Sequence, residues 1–286
     1  MDSHGWRIVY ATIRQVDKAV PRTGRKKRYS DVLIVAMFLW TVCHDWPMCW
    51  ACQRGHHGGL FRPRRWPSVG HFSRRIRSER CQLLLQEVER RLAESDVATP
   101  LSFLDARPLV VGPCSKDRQA KPGRIYGGFA RGYKLHAIVS EDARVRSWCI
   151  TPLNVAESRA AESLLTDTPL KQWLLADGNY DASVLYDLAD RQGCQLLTPL
   201  PEHAGCGHRP QSPARLRALE LWRSGAAEPI YRLRWAVERC FGNQSSFGGG
   251  LNPLPAWVRT LPRVINWVCG KLIVYHVRRR LRQPAA

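Results

Sequence analysis

The sequence has few acidic residues and no apolar run long enough to cross a membrane. Asp and Glu number 24 against 44 Lys and Arg, which gives a formal net charge of +20 and an isoelectric point near 10.1. The longest apolar run, residues 32–43, is much shorter than the roughly 20 residues that a spanning helix needs, so it predicts a buried helix. The positive excess favours a polyanionic partner, nucleic acid first and an anionic membrane surface second.

Neither a secretory signal nor a disulfide framework is expected from the sequence. The chain opens on polar residues, and its ten cysteines are scattered, mostly inside apolar segments as reduced core cysteines are. We therefore expect a soluble, cytoplasmic protein that binds nucleic acid. Cys49 and Cys52, with three histidines nearby, could instead ligate zinc, although no second ligand pair follows at the spacing of a zinc finger.

The chain is long enough for one or two domains, and its composition predicts four segments. They are a basic arm, an all-helical region, an α/β region and a C-terminal amphipathic helix with a basic tail, over residues 1–28, 29–99, 100–250 and 251–286. The arm ends in a run of Arg and Lys, which is either a solvated linker or a contact to phosphates.

Three arginines mark the helical region. Ser68 is a candidate N-cap for a helix that carries Arg74, Arg75 and Arg77. A helix this basic could lie on DNA phosphates or in a groove, which makes the three arginines candidate DNA-binding residues. The alternative is the basic outer face of an ordinary helical bundle.

The α/β region alternates in the order β-β-β-α-β-α-β-α. The predicted strands cover residues 103–105, 133–140, 145–150, 174–176 and 194–198. Prolines and glycines predict a long loop over residues 107–129. Asn154 and Glu157 have the spacing of a capping box, which explains both without catalysis. The order indicates a mixed sheet flanked by helices and preceded by the small all-helical region.

Two carboxylates follow short apolar runs of this region. Asp105 comes after Phe103-Leu, and Asp177 comes after Trp173-Leu-Leu-Ala and precedes a Gly-Asn turn. A lone Asp at the end of a strand is more often a turn or cap residue. Catalytic groups nevertheless gather where the strands of α/β sheets end, so the pair indicates a candidate site.

A third carboxylate lies on a helix predicted over residues 229–241. Tyr231, Arg234 and Glu238 recur at i, i+3 and i+7 and share one face, and the apolar stripe on another face is Ile230, Leu233, Val237, Cys240 and Phe241. Alone, Arg234 and Glu238 would be an ordinary surface pair. With the two Asp residues, Glu238 completes a plausible oxygen-ligand set for a hard divalent cation.

These blocks together resemble the bacterial insertion-sequence transposases of the Asp-Asp-Glu class, in the branch with a Tyr-x2-Arg-x3-Glu signature. The matching blocks are Phe103-Leu-Asp-Ala-Arg-Pro-Leu, Leu174-Leu-Ala-Asp-Gly-Asn-Tyr-Asp and Tyr231-x-x-Arg-x-x-x-Glu, with Gly132-Tyr-Lys-Leu-His-Ala-Ile-Val and Thr151-Pro-Leu-Asn-Val-Ala-Glu between them. The resemblance covers about residues 100–280 and implies a ribonuclease H-like catalytic domain.

The resemblance implies a DNA transposase that cleaves and joins strands with Mg²⁺ or Mn²⁺, using two ions. Asp105, Asp177 and Glu238 would be the catalytic metal ligands. Double-stranded DNA, as element ends and target, would be the partner of a homodimer. The implied or candidate DNA-binding residues of this domain are Tyr231, Arg234, Arg239, Lys134 and His136, the last two of which could instead only cover the sheet.

One position departs from the branch. A Lys usually follows the Glu by seven positions to hold a DNA strand, whereas this chain has Ser245. Arg239 or Arg259 could take that role. Gly242 to Leu251 predicts a flexible turn or a plain linker. Two alternatives remain: a transposase-derived DNA-binding protein without cleavage activity, and a metal-dependent nuclease that does not join strands.

Overall fold

The computed structural model describes residues 1–21, 27–57, 63, 65–94, 99–199, 211–246, 250–251 and 253–282. The chain divides into two compact units. We call residues Met1–Glu94 with Ser246–Ala286 the helical unit and Ser95–Ser245 the sheet unit. This grouping differs from the four expected segments, because the C-terminal helix belongs to the same unit as the N-terminal helices.

The described residues form helices α1 to α11 and strands β1 to β6. In chain order these are α1 Ser3–Ala19, α2 Asp31–His44, α3 Met48–Ala51, α4 Val69–Ile76, α5 Glu79–Ala93, β1 Leu101–Val110, β2 Lys121–Ile125, β3 Gly128–Ser140, β4 Val145–Pro152, α6 Glu157–Asp167, β5 Gln172–Ala176, α7 Ser183–Asp190, β6 Cys194–Leu197, α8 Pro213–Arg223, α9 Ala227–Tyr231, α10 Trp235–Ser246 and α11 Leu261–Arg282.

The first helix occupies most of the expected basic arm. α1 buries Trp6, Val9, Ile13 and Val16 at helical spacing. Residues 3–19 are therefore part of the core of the helical unit and not an extended arm. Most of the basic run that follows lies outside the described residues.

The apolar run over residues 32–43 forms one largely buried helix, α2, as expected, and a separate short helix, α3, follows it. Ser30 caps α2 by accepting a hydrogen bond from the Leu33 amide at 3.2 Å. α2 ends where Asp45 adopts a left-handed conformation with φ of 54°, and Pro47, which has no N–H to donate, precedes α3.

The last helix packs closely in this unit. A Cβ on Gly270 of α11 would lie 3.0 Å from a Val42 methyl, so the two helices approach at a distance that favours glycine. Lys271 donates to Asp45 at 2.7 Å, and Trp267 donates to the same carboxylate at 3.2 Å. These contacts join α11 to the end of α2. None of the helices in the described part of the chain is long and apolar enough to cross a membrane.

The sheet unit is built around β1. β1 pairs antiparallel with β3 and parallel with β5, and β5 pairs parallel with β6. β3 also pairs with β2 and with β4. The mixed sheet, its flanking helices and the helices before it confirm the predicted fold class.

The loop expected over 107–129 is wrong, because β1 continues through Pro108 to Val110 and β2 forms within it. Proline is tolerated at this place since the pairing of β1 with β5 ends at Leu104, so β1 is no longer between two strands there. Gly123 of β2 is also required, because a Cβ would lie 2.6 Å from the Leu153 carbonyl oxygen.

The helix expected over 229–241 is interrupted. α9 is followed by a 3₁₀ turn at Arg232–Arg234 and then by α10. The interruption shifts the apolar stripe, so Leu233 is exposed while Val237 and Cys240 are buried. α10 continues to Ser246, which corrects the start of the turn expected from Gly242.

Candidate active site

Asp105 lies inside β1, five residues before the strand ends. Its backbone is opposite Ala137 of β3, and its Oδ1 accepts a hydrogen bond from the Ala106 amide at 2.8 Å. The predicted strand end is therefore wrong in detail. The parallel pairing of β1 with β5 does end just before Asp105, at Leu104, so the sheet opens at this residue.

Asp177 directly follows β5 and stands next to the same opening. Leu104 and Ala176 are partners in the parallel pairing, and Asp105 and Asp177 are the residues that follow them. Asp177 also caps a 3₁₀ turn at Gly178–Tyr180, since its Oδ1 accepts from the Asn179 amide at 2.9 Å. The cap role and the position beside Asp105 thus coexist.

Arg234 connects Asp105 to Glu238. Its Nη2 is 3.4 Å from Asp105 Oδ2, and its Nη1 is 3.5 Å from Glu238 Oε1. The Glu238 side chain is 69% exposed, so it lies on the solvent side of this arginine. Tyr231 donates its hydroxyl to the Ala176 carbonyl at 3.0 Å, which ties this segment to the end of β5. All residues of the expected signature therefore lie at one end of the sheet.

The two aspartates are largely removed from water and lie near other charged groups. Burial raises the pKa of Asp105 to about 6, and the charge of Asp177 contributes in the same direction, whereas Arg234 opposes both. Burial and the charge of Glu157 also raise the pKa of Asp177. A site that holds several carboxylates against their own repulsion is suited to a bound cation.

Glu157 is a site residue that the sequence interpretation missed. The expected capping box is wrong, because Ala156 is the N-cap of α6 and makes no side-chain cap bond. Glu157 Oε1 instead accepts from Lys134 Nζ at 2.7 Å, and its Oε2 accepts from Asn179 at 3.4 Å. Its place in a segment resembling the transposases was the available signal, but the cap spacing explained it equally well.

Lys134 and His136, on the same face of β3, have different surroundings. Lys134 is nearly buried and pairs with Glu157. His136 is fully buried, with its Nε2 2.9 Å from Thr151 Oγ1, and burial lowers its pKa to about 4. DNA contact by His136 is therefore contradicted, and the residue covers the sheet.

The other candidate DNA-binding arginines also differ. Arg74 and Arg77 are exposed, whereas the Arg75 guanidinium is largely buried and forms an ion pair with Asp31. Arg75 is thus held inside the helical unit, which disfavours phosphate contact. Arg239 is exposed and stacks its guanidinium 4.1 Å from the centre of the Trp235 ring.

An open cleft of about 1420 Å³ borders the site within the sheet unit. Asp177, Asn179, Glu157 and Lys134 line one part of it. The end of β2, the start of β3 and the turn between them, from Arg124 to Phe129, line another part. The cleft is large enough to receive part of a nucleic-acid strand beside the carboxylates.

The donor chemistry fits a hard divalent cation. Asp105 and Asp177 offer carboxylate oxygens, and their raised pKa values show that negative charge there needs compensation. Among the described residues no three His, Cys, Asp or Glu side chains are already gathered around one point. Two further carboxylates each lie one side chain away from this pair: Glu238 beyond Arg234, and Glu157 beyond Asn179.

In the cysteine and histidine cluster that was considered for zinc, two of the histidines bond to backbone carbonyls. His56 Nδ1 is 2.9 Å from the Trp50 carbonyl, and His57 Nε2 is 2.7 Å from the Ala51 carbonyl. His56 also stacks on the Trp50 ring. These histidines thus join α3 to the turn that follows it.

Residues 98–275 match the family described as Transposase DDE domain. The match covers more than half of the chain, so the chain belongs to this family, and the sheet unit has its ribonuclease H-like fold. The family is typically one of phosphoryl-transfer enzymes that use a divalent metal.

No curated protein matches the chain. Among solved structures, the Mos1 transposase paired-end complex with left transposon end is 15% identical, with 82% of this chain and 83% of that chain covered and a TM-score of 0.22.

Proposed function

We propose that this protein is the transposase of a bacterial insertion sequence, which cleaves DNA at the ends of the element and joins them to a target. One observation carries the proposal: Asp105 and Asp177 follow paired residues of adjacent parallel strands, and Arg234 connects Asp105 to Glu238. In a member of the DDE family, this closeness of the acids and the arginine at one end of the sheet supports the proposal.

Asp105, Asp177 and Glu238 would hold Mg²⁺ or Mn²⁺, as two ions. Bound metal neutralises charge on a phosphate and lowers the pKa of an attacking water or hydroxyl. Oδ1 of Asp105 accepts a backbone hydrogen bond, and Oδ1 of Asp177 accepts one within its turn. Both carboxylates are therefore held in place before metal binds. Glu238 is exposed and has the freedom to turn toward them.

Arg234 has two possible partners in this scheme. Without metal it offsets the charge of Asp105. When cations occupy the acids, the same guanidinium is suited to a DNA phosphate, which it can bind with two parallel hydrogen bonds. Tyr231 holds Arg234 in register with β5 through its bond to the Ala176 carbonyl. We therefore propose that Tyr231 positions Arg234 and that Arg234 binds the DNA phosphate.

The partner would be double-stranded DNA, bound by a homodimer. The net charge of +20 supplies the electrostatic attraction, and exposed Arg74, Arg77 and Arg239 are the arginines we expect at phosphates. Ser245 cannot replace the usual lysine, because its hydroxyl is neutral and bonds the Phe241 carbonyl at 3.0 Å.

Of the two arginines considered for the role of that lysine, Arg239 is the better candidate. Arg259 donates to the carbonyls of Pro255 and Val258 at 2.9 and 2.7 Å, so its guanidinium is held by its own loop. Arg239 is on the same helix as Glu238, and its guanidinium stacks on Trp235 while remaining exposed.

The test uses the purified full chain and DNA that carries the sequences flanking the gene. Transposase activity requires cleavage at both element ends and joining to a second DNA when Mg²⁺ is present, and neither product when a chelator replaces it. Cleavage without joining would identify a nuclease. Specific binding of the ends with no cleavage in Mg²⁺ or Mn²⁺ would identify a DNA-binding protein that has lost catalysis. The exposed position of Glu238 and the presence of Ser245 are the two features that favour this alternative.

A further inference from the structure

The hairpin formed by β2 and β3 exposes two aromatic side chains. Tyr126 is fully exposed and Phe129 is 81% exposed, and no other large apolar side chain of the described residues exceeds 53%. Exposure of this extent is unfavourable in water, and in a soluble domain it indicates a surface that contacts a partner. We call residues 121–132, from the start of β2 to the middle of β3, the aromatic hairpin.

The hairpin is built to hold its tip in a fixed position. Tyr126 and Gly127 form a two-residue connection, with Gly127 at φ of 83°, a conformation that favours glycine. Strand pairing continues from Ile125 opposite Gly128 down to Lys121 opposite Gly132. The tip is therefore a tight turn supported by strand pairing on both sides.

Further contacts support the base of the hairpin. Arg131 donates to the carbonyls of Asp117 and Ala120 at 2.8 and 3.2 Å, which ties β3 to the loop before β2. A Cβ on Gly132 would lie 2.2 Å from the Leu109 carbonyl oxygen, so β3 and β1 meet closely here. β1, the strand that contains Asp105, therefore also packs against the base of the hairpin.

Basic and aromatic groups alternate on this hairpin. Arg124 is directly opposite Phe129, so the two side chains share a face, and both are exposed. Tyr126 and Phe129 line the same cleft as Asp177 and Glu157. Aromatic rings interleaved with cations are the surface that binds single-stranded nucleic acid, through base stacking and phosphate contact.

We propose that Tyr126 and Phe129 stack on DNA bases that are unpaired next to the phosphate at which the acids act, while Arg124 contacts a neighbouring phosphate. This rests on the proposed function, because the cleft must receive DNA. Paired bases hide their faces within the duplex, so the rings have a stacking partner only where a base is extruded or unpaired. The hairpin would favour DNA that is distorted at the cleavage site.

The test compares two labelled DNAs bound by the full chain in the presence of a chelator. One is a plain duplex, and the other is the same duplex with a central bubble of unpaired thymines. Stacking contributes roughly 5- to 150-fold in affinity per base, so the wild-type protein should prefer the bubble by at least about fivefold. A 2-aminopurine in the bubble should also lose fluorescence on binding.

The double variant Tyr126→Ala/Phe129→Ala should lose this preference while its affinity for the plain duplex stays unchanged. Tyr126→Trp/Phe129→Trp should keep the preference, because the tryptophans also stack. Leu216→Ala, which removes an exposed apolar side chain of α8, is the matched control and should behave as wild type. Equal melting temperatures will show that all variants are folded.

Three results would overturn the inference: a wild-type protein without preference, an alanine double variant that keeps it, or equal losses on both DNAs. Loss of self-association in that variant with the preference intact would assign the patch to a second copy of the chain instead. Failure of the proposed function is distinguishable. It would show as an absence of Mg²⁺-dependent cleavage while the binding preference, measured without metal, persists.

Discussion

The Arg234 guanidinium lies 3.4 Å from the carboxylate of Asp105, joining the turn before α10 to the central strand of the sheet. Burial raises the pKa of Asp105, and Arg234 is the main influence that lowers it. The arginine therefore keeps an otherwise poorly solvated carboxyl group available as an anion.

Replacing Arg234 by Met should therefore raise the pKa of Asp105 further. We expect Mg²⁺-dependent cleavage to fall by about 10²-fold, as when a preorganised charge is removed from an active site. The acidic limb of the pH–rate profile should move to higher pH, because more alkali is needed to ionise Asp105. Arg232→Met removes a guanidinium paired only with exposed Glu228 and should leave the profile unchanged. An unshifted limb in Arg234→Met would contradict this role.

Asp105→Asn should stabilise the metal-free protein above neutral pH. Burial raises the pKa of this carboxyl from 3.8 to about 6, so the folded state holds the proton more tightly than the unfolded chain does. Its ionisation consequently destabilises the fold as the pH rises from about 4 to beyond 6, by on the order of 1–3 kcal/mol. Denaturant unfolding in a chelator should show the gain for Asn at about pH 8 and none at about pH 4.

Added divalent cation provides the second part of that measurement. Mn²⁺ should raise the free energy of unfolding of the wild-type protein at alkaline pH, because it binds the folded carboxylates. The Asn variant should respond much less. Equal stabilisation of both proteins by Mn²⁺ would remove Asp105 from the metal site.

Glu157→Gln should leave the nearly buried Lys134 without its charged partner. The 2.7 Å ion pair between them is largely shielded from water, so we expect a loss of roughly 3 kcal/mol in the free energy of unfolding. Glu162→Gln, at an exposed position of the same helix, should change stability by less than about 0.5 kcal/mol. Thermal and denaturant unfolding of the two variants will measure the difference.

A double replacement separates structure from catalysis at this pair. Lys134→Met with Glu157→Leu should regain much of the stability, since two apolar groups replace two buried charges. If Glu157 serves the site through Asn179 and Asp177, cleavage stays low in this variant. Recovery of cleavage together with stability would make the pair purely structural.

Arg80→Met should destabilise the helical unit strongly. Arg80 is buried and pairs with Asp17 at 2.6 Å and with Asp31 at 3.0 Å, so its removal leaves two shielded carboxylates without this partner, at a cost of about 3–5 kcal/mol. Arg77→Met, nearby in sequence but exposed, should be almost neutral for unfolding. A small effect of Arg80→Met in denaturant unfolding would show that water reaches this cluster.

The sequence predicted most of the sheet because its strands are short apolar runs that end at polar residues. Asp177 follows this rule. Asp105 does not, since β1 continues past it, and the site exists there because the neighbouring strand β5 stops pairing at Leu104. Strand pairing depends on tertiary structure, so the residues where pairing ends cannot be predicted from a local run of sequence.

Local patterns were misleading where one signal has two causes. Proline usually breaks a central strand, but Pro108 is accepted in β1 where β5 no longer pairs with it. Glu157 at the start of α6 has the spacing of a cap residue, yet its carboxylate accepts a hydrogen bond from Lys134 on β3. Arg75 and His136 are polar in sequence but buried in the fold, where Asp31 and Thr151 bond them. These contacts join residues distant in sequence.

A pair of matched variants tests whether Glu238 is the third acid of a metal-dependent active site. Glu238 and Glu228 are both exposed, at 69% and 60%, and each pairs with an arginine one helical turn away, Arg234 at 3.5 Å and Arg232 at 2.7 Å. A surface pair of this kind contributes at most about 1 kcal/mol, so the two Gln variants should be equally stable and bind DNA equally well.

Mg²⁺-dependent cleavage of element-end DNA should then distinguish them. We expect Glu238→Gln to lower the cleavage rate by orders of magnitude, because an amide is a poor ligand for a hard cation, while Glu228→Gln should cleave like the wild-type protein. Wild-type cleavage by Glu238→Gln would contradict the account and move the third acid elsewhere.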